Sequence, residues 1–175
     1  MRKRHELSGA WYFKIDEYDI GEKDLWYESG LKEPMQVEVP HIRQREEEYV
    51  EYCGTAWYQK DFTVPEVHKN KRDYLYFGAV DFHAMVWLNG KFIGEHEGGF
   101  TPFEFDVTNE LKSGAPNRLV VRVYDPQDNA EIPIGKQGSW YTRVSGIWQD
   151  VYLELRSACH IEHVYVRPDI DEGTI

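Results

Sequence analysis

The sequence has 175 residues, of which 41% are hydrophobic and 15% aromatic, enough for one domain with a substantial core and too apolar for a disordered chain. Its 31 acidic against 20 basic residues give a net charge of −11, which argues against nucleic acid or an anionic membrane as partner. No apolar run is long enough to span a bilayer, and the opening "MRKRHELSGAW" has a basic start without an apolar h-region. The expectation is therefore a cytoplasmic protein, although a mature secreted form would read the same.

Taken in chain order, the segments read almost wholly as strand. "WYQKDFTVP" sets Tyr58, Phe62 and Val64 on one side and Gln59, Asp61 and Thr63 on the other, and stops at Pro65. "YLYFGAV", Tyr74 to Val80, is a continuous apolar run that suits a strand covered on both faces. "AMVWLNGKFIG" predicts a hairpin turning at Asn89-Gly90, a pair that tolerates the positive φ angles of a type I′ turn. "FEFDVTNEL" points Phe103, Phe105 and Val107 inward and offers Thr108 as cap of a short helical turn. "NRLVVRVYD" alternates Leu119, Val121 and Val123 against Val120, Arg122 and Tyr124. From Ile147 the chain alternates again, with Ile147, Val151, Leu153 and Leu155 on one side, and "HIEHVYVRP" gives one more strand.

No segment predicts a helix longer than a turn or two. Many short strands between turn signals imply an all-β fold, an antiparallel β-sandwich. Two long connections, Pro40 to Gly54 and Asp125 to Gly138, lie between strong strands, and loops of that length in a compact domain are usually functional or interacting. The closing "DIDEGTI" breaks off where another strand could begin, so the expectation is that the sequence continues in a longer protein.

Candidate chemistry is sparse. Cys53 and Cys159 are the only cysteines, too few for a disulfide scaffold, and the expectation is reduced, partly buried thiols. In "CHIEH", His160 and His163 would point to opposite faces of a strand, so no metal site is expected, and no cofactor. The run Glu46, Glu47, Glu48 reads as a solvated loop face, and Glu95, His96 and Glu97 as the approach to a glycine turn. Neither is a credible catalytic carboxylate pair.

The loop "GKQGSWYTR" differs. It gathers Gln137, Trp140, Tyr141 and Arg143, and sugars pack C–H faces on Trp and Tyr while their hydroxyls need amide, carboxylate or guanidinium partners. These aromatics serve either a sugar or a neighbouring domain. Asp81 interrupts the apolar run "YFGAVDFHAMVWL" and either caps a turn or presents a carboxylate to a ligand.

Five stretches, "LSGAWYFKIDEYDIGEKDLWYE", "GTAWYQKDFTVP", "VDFHAMVWLNGKFIGEHEGGFTPFEFDVTNEL", "NRLVVRVYD" and "SGIWQDVYLE", occur in this order and spacing. Together they resemble the N-terminal sugar-binding domain of glycoside hydrolase family 2, the β-galactosidase, β-glucuronidase and β-mannosidase family, from about Leu7 to Pro168. The resemblance implies a jelly-roll sandwich like that of galactose-binding domains over residues 1–168. Residues 169–175 would then be a linker or the start of a following immunoglobulin-like domain. It also implies a retaining β-glycosidase whose two catalytic glutamates sit in a (β/α)8 barrel beyond this chain, since a barrel takes about 250 residues.

Catalytic residues are therefore expected to be none here, and the partners to be a carbohydrate and the other domains of such an enzyme. By resemblance, Asp81 matches a polar position, often Asn in β-galactosidases, that reaches substrate from this domain. One departure concerns the acidic residue that in some β-galactosidases precedes the "SGI" motif and helps bind the sugar O6 and a monovalent ion. That position is Trp140 here, which leaves galactose specificity and the ion open. Two other functions compete: a stand-alone carbohydrate-binding module, and a structural domain whose aromatic loops only join domains.

Overall fold

The computed structural model describes residues 2–65, 71–126, 129, 132, 144–161, 164–169 and 171–173. Among them run β1 (Lys3–Glu6), β2 (Gly9–Asp16), the one-turn helix α1 (Trp26–Ser29), β3 (Met35–Val39), β4 (Gly54–Thr63), β5 (Lys71–Phe77) and β6 (Val80–Asp81). There follow β7 (His83–Leu88), β8 (Lys91–Glu97), β9 (Phe103–Asp106), β10 (Pro116–Asp125), β11 (Gly146–Ile147) and β12 (Val151–Ser157). A six-stranded sheet in the order β3-β2-β4-β10-β7-β8 faces a four-stranded sheet in the order β1-β12-β5-β9, and β6 pairs with β11 in a two-stranded ladder. Every ladder is antiparallel, so the fold is the β-sandwich that the alternation predicts.

The core lies between the two large sheets. Trp11 and Phe13 of β2, Tyr58 of β4, Val86 of β7 and Leu119, Val121 and Val123 of β10 meet Leu75 and Phe77 of β5 and Val151 and Leu153 of β12. The predicted faces of β4 and β10 therefore hold. The hairpin holds too: Asn89 (φ 54) and Gly90 (φ 83) turn β7 into β8.

The six-stranded sheet is buried on its outer face as well. Trp26, Trp57, Trp87 and Val120 form a second apolar cluster, with Tyr27 stacked on Trp87 at 5.0 Å. The segment after β2 is drawn over this patch by Asp16, whose carboxylate accepts the amides of Ile20 (2.9 Å) and Gly21 (2.8 Å) and the indole N–H of Trp57 (2.9 Å). Gly21 lies so close that a Cβ there would be 2.6 Å from Trp57 Nε1.

Four local expectations need correction. The run from Ile147 to Leu155 is not one strand: Ile147 pairs with Val80 in the small ladder, whereas Val151 pairs with Phe77 in the four-stranded sheet. The Tyr74–Val80 run breaks at the same level, where the Gly78 amide donates to Asp150 O at 2.9 Å, and its outer residues Tyr74 and Tyr76 are only half-buried. A Cβ on Gly78 would sit 2.6 Å from Gln149 Cβ, so both strands change sheet where only glycine fits. Second, Thr108 caps no helix. Asp106 Oδ1 accepts the Thr108 amide at 3.1 Å, and Thr108 Oγ1 instead accepts the Asp73 amide at 2.9 Å.

Third, the described residues of "HIEHVYVRP" form no strand, and Ile161, Val164, Tyr165 and Val166 are exposed. Both edges of β12 are already occupied, by β1 and β5, so this alternating segment finds no ladder there. Fourth, Cys53 and Cys159 are free but exposed, because each lies just outside a strand of the sandwich.

Candidate functional site

The small β6–β11 ladder pairs the strand that carries Asp81 with the "SGI" segment. Asp81 is the register partner of Gly146, and Val80 of Ile147. The turn that leaves β8 crosses directly over Asp81: a Cβ on Gly99 would come within 2.5 Å of Asp81 Oδ1. Asp81 is accordingly 9% exposed, buried by a backbone with no side chain at that point. The turn itself is held by the Gly98 amide donating to Phe82 O at 3.1 Å and by Trp148 Nε1 donating to Gly99 O at 2.8 Å. Phe100 packs edge-on against Trp148, with ring centroids 5.9 Å apart.

Gln137, Trp140, Tyr141 and Arg143 lie outside the described residues. Asp125 and Ser145, on either side of that stretch, are joined by a buried polar network that the sequence did not reveal. Ser145 Oγ donates to Asp125 Oδ2, joining the end of β10 to the residue before β11. Arg43 Nη2 donates to the same hydroxyl at 3.0 Å and lies 3.8 Å from Asp125 Oδ2. Gln44 exchanges two bonds with Ser145, receiving its amide at 3.0 Å and donating to its hydroxyl at 3.1 Å. Backbone bonds from His41 N to Ile147 O (2.7 Å) and from Arg43 N to Ser145 O (2.8 Å) lay the "HIR" segment along "SGI".

Burial governs the electrostatics here. It lowers the Arg43 pKa from its ordinary value while Asp125 opposes that shift, and Arg43 Nε is buried with no hydrogen-bond partner. Burial likewise lowers the His41 pKa, opposed by the hydrogen bond to Glu46. It also pushes the fully buried Tyr58 hydroxyl far above the usual phenol range. His41 Nδ1 lies 2.9 Å from Tyr58 Oη and Nε2 lies 3.4 Å from Glu46 Oε1, an arrangement satisfied by a neutral ring carrying its proton on Nε2. These groups hold one another and form no nucleophile–base pair: Ser145 bonds Asp125, Arg43 and Gln44, not His41.

The missed residues left faint traces in the sequence. Arg43 and Gln44 sit in the long Pro40–Gly54 loop, whose length marks it as functional or interacting, but beside a glutamate run that reads as solvated, and nothing singles the two residues out. Phe100 reads as a turn residue. A separate cleft of about 390 Å³, lined by Phe13, Trp26, Met35 and Tyr49 among others, opens beside β2 and includes neither Asp81 nor Gly146.

The sequence profile of "Glycosyl hydrolases family 2, sugar binding domain" matches residues 41–156, from the buried His41 to Arg156 in β12. The chain belongs to this family. Among relatives of this glycosyl hydrolase family 2 domain, a β-galactosidase of Thermoanaerobacter pseudethanolicus is 38% identical over 160 residues, covering 91% of this chain and 20% of that protein. A β-glucuronidase of Paenibacillus borealis is 31% identical over 138 residues, covering 77% of this chain and 23% of that protein. Among solved structures, a β-glucuronidase from an uncultured Clostridium species superposes with a TM-score of 0.75 at 34% identity, covering 89% of this chain and 29% of that one. The family 2 domain thus spans about a fifth to a third of the length of these relatives.

Proposed function

We propose that this chain is the N-terminal, non-catalytic part of a family 2 retaining β-glycosidase, and that its β6–β11 end forms part of the active-site rim. The observation that supports this most is the pairing of Asp81 with Gly146, which brings a carboxylate beside the start of the "SGI" motif. Asp81 would accept hydrogen bonds from sugar hydroxyls. Trp140 and Tyr141 would offer apolar faces, and Gln137 and Arg143 would fix their loop or contact substrate. The acid/base and nucleophile would come from a barrel elsewhere in the enzyme, with carboxylates about 5–5.5 Å apart. Residues 169–175 would be a linker to an immunoglobulin-like domain or the start of it. The relatives include both β-galactosidases and β-glucuronidases, so the proposal extends to the β-glycoside class and not to one sugar.

The test is to incubate the isolated 175-residue chain with nitrophenyl β-galactoside, β-glucuronide and β-mannoside. No nitrophenol should be released above buffer, and calorimetry should give at best millimolar binding, since one wall of a site supplies few convergent contacts. Turnover that follows the protein peak through repurification would refute the non-catalytic assignment. Micromolar affinity for a simple glycoside would favour a stand-alone binding module.

A further inference from the structure

We propose that Phe100 is a stacking platform for the leaving group of the glycoside, one step outward from Asp81. This rests on the rim assignment made above and adds to it a residue that determines specificity. Phe100 lies in the turn between β8 and β9, and every neighbour in that turn is tied down. Gly98 donates to Phe82 O at 3.1 Å, Gly99 O accepts Trp148 Nε1 at 2.8 Å, and Thr101 Oγ1 lies 3.3 Å from His96 Nε2. The His96 ring is itself stacked on Phe103 at 4.3 Å. The backbone of Phe100 is therefore fixed, yet the residue is 52% exposed, with its ring in a T-shaped contact with Trp148.

Single exposed apolar side chains are common, so exposure alone does not mark Phe100; its pinned backbone next to the cover of Asp81 does, and a flat apolar group would cover its ring. Its position says what chemistry would do so. The residue before it lies so close to Asp81 that a Cβ on Gly99 would come within 2.5 Å of Asp81 Oδ1, so Phe100 is one residue along the chain from the point that covers the carboxylate proposed to meet the sugar. Asp81 is 9% exposed against 52% for Phe100, which orders the two by depth. The carboxylate meets the sugar held deeper, and the ring meets what projects outward from it. That outer part is the leaving group, whether an aryl ring or the C–H face of a second pyranose, and either stacks on a phenyl face.

The experiment uses the complete glycosidase with a phenyl and a methyl β-glycoside of the sugar it hydrolyses. Phe100→Ala should lower kcat/KM about three- to tenfold on the phenyl glycoside and less than about twofold on the methyl glycoside, with Phe100→Tyr close to wild type. If Phe100→Ala does not fold, Phe100→Leu keeps apolar bulk without the aromatic face and should show the same selective loss. Equal losses on both glycosides would make Phe100 a packing residue and overturn the platform, as would no loss on either. Asp81→Ala in the same assays separates this from the rim assignment. A loss on both glycosides for Asp81→Ala, with none for the Phe100 variants, removes the platform alone. No loss for any variant removes the rim as well.

Discussion

Gly146 stands opposite Asp81 in the β6–β11 ladder, and it is also where the "SGI" segment passes over Tyr58 and His41 with no room for a side chain. Its φ is 128°, and a Cβ there would collide with the Tyr58 hydroxyl and lie 2.8 Å from the His41 carbonyl oxygen. Gly146→Ala is expected to cost about 2–5 kcal/mol, from backbone strain and overpacking together. Urea denaturation of the isolated domain measures it; a change under about 0.5 kcal/mol would mean that the segment can shift without penalty.

Arg43 is 2% exposed and is fixed by Ser145, by Gly54 O at 3.1 Å and by the face of Tyr52 at 5.0 Å. Removing it leaves the carboxylate of Asp125, itself 3% exposed, without its nearest cation. Arg43→Met should cost about 3–5 kcal/mol, and Arg43→Met combined with Asp125→Asn less than the sum of the two single changes. A double-mutant cycle that comes out strictly additive would show that the pair is not coupled.

The neutral His41 gives the domain a pH dependence. Burial keeps its folded pKa below the ordinary value of 6.5, so below that pH the unfolded chain binds a proton that the folded chain resists. The contribution is therefore complete above about pH 6.5 and is lost as pH falls toward the folded pKa. Stability measured between about pH 7 and pH 5 should decline, and His41→Asn should reduce the slope in that window, leaving the part due to His96, whose pKa burial also lowers. The carboxylates of Asp19, Asp106 and Glu154 act lower. Burial opposes their ionisation, but hydrogen bonds and cations outweigh it and hold their pKa values down. Their contributions are present above the ordinary carboxylate range and fade only below it, so they do not mask the His41 step.

Asp16 ties the segment after β2 to the tryptophan patch through three N–H donors. Asp16→Ala leaves all three unsatisfied, at about 1–3 kcal/mol for each donor that stays buried. The expected result is a loss of about 3 kcal/mol or more with new proteolytic cleavage in residues 17–25, because the cover over Trp57 comes loose. Unchanged protease resistance would show that apolar packing of Trp26 and Tyr27 alone holds the segment.

What was legible in the sequence followed from short-range rules. Leu119, Val121 and Val123 declare a strand because one face is buried and the period is two. Asn89-Gly90 declares its turn because few pairs accept two positive φ angles. The change of sheet at Gly78 and Asp150 was not legible, since it depends on two distant segments breaking at the same level. Alternation in the segment around Val164 and Tyr165 misled, because period two says nothing about whether a neighbouring strand exists. At the site, Asp81 stood out as a charge inside an apolar run. Arg43 did not, because nothing near it in a glutamate-rich loop announces that its partners are Asp125 and Ser145. Phe100 did not, because exposure of an aromatic ring is decided by the fixed turn around it.

In the function proposed here, Asp81 touches substrate but transfers no proton. The most direct measurement is kcat/KM of the complete glycosidase carrying Asp81→Ala, with melting temperature recorded alongside. Loss of one well-placed charged hydrogen bond is worth about 1.5–3 kcal/mol, so a fall of roughly tenfold to a hundredfold is expected with the fold intact. An unchanged kcat/KM in a folded variant would contradict it and leave Asp81 as a residue that only packs beneath Gly99.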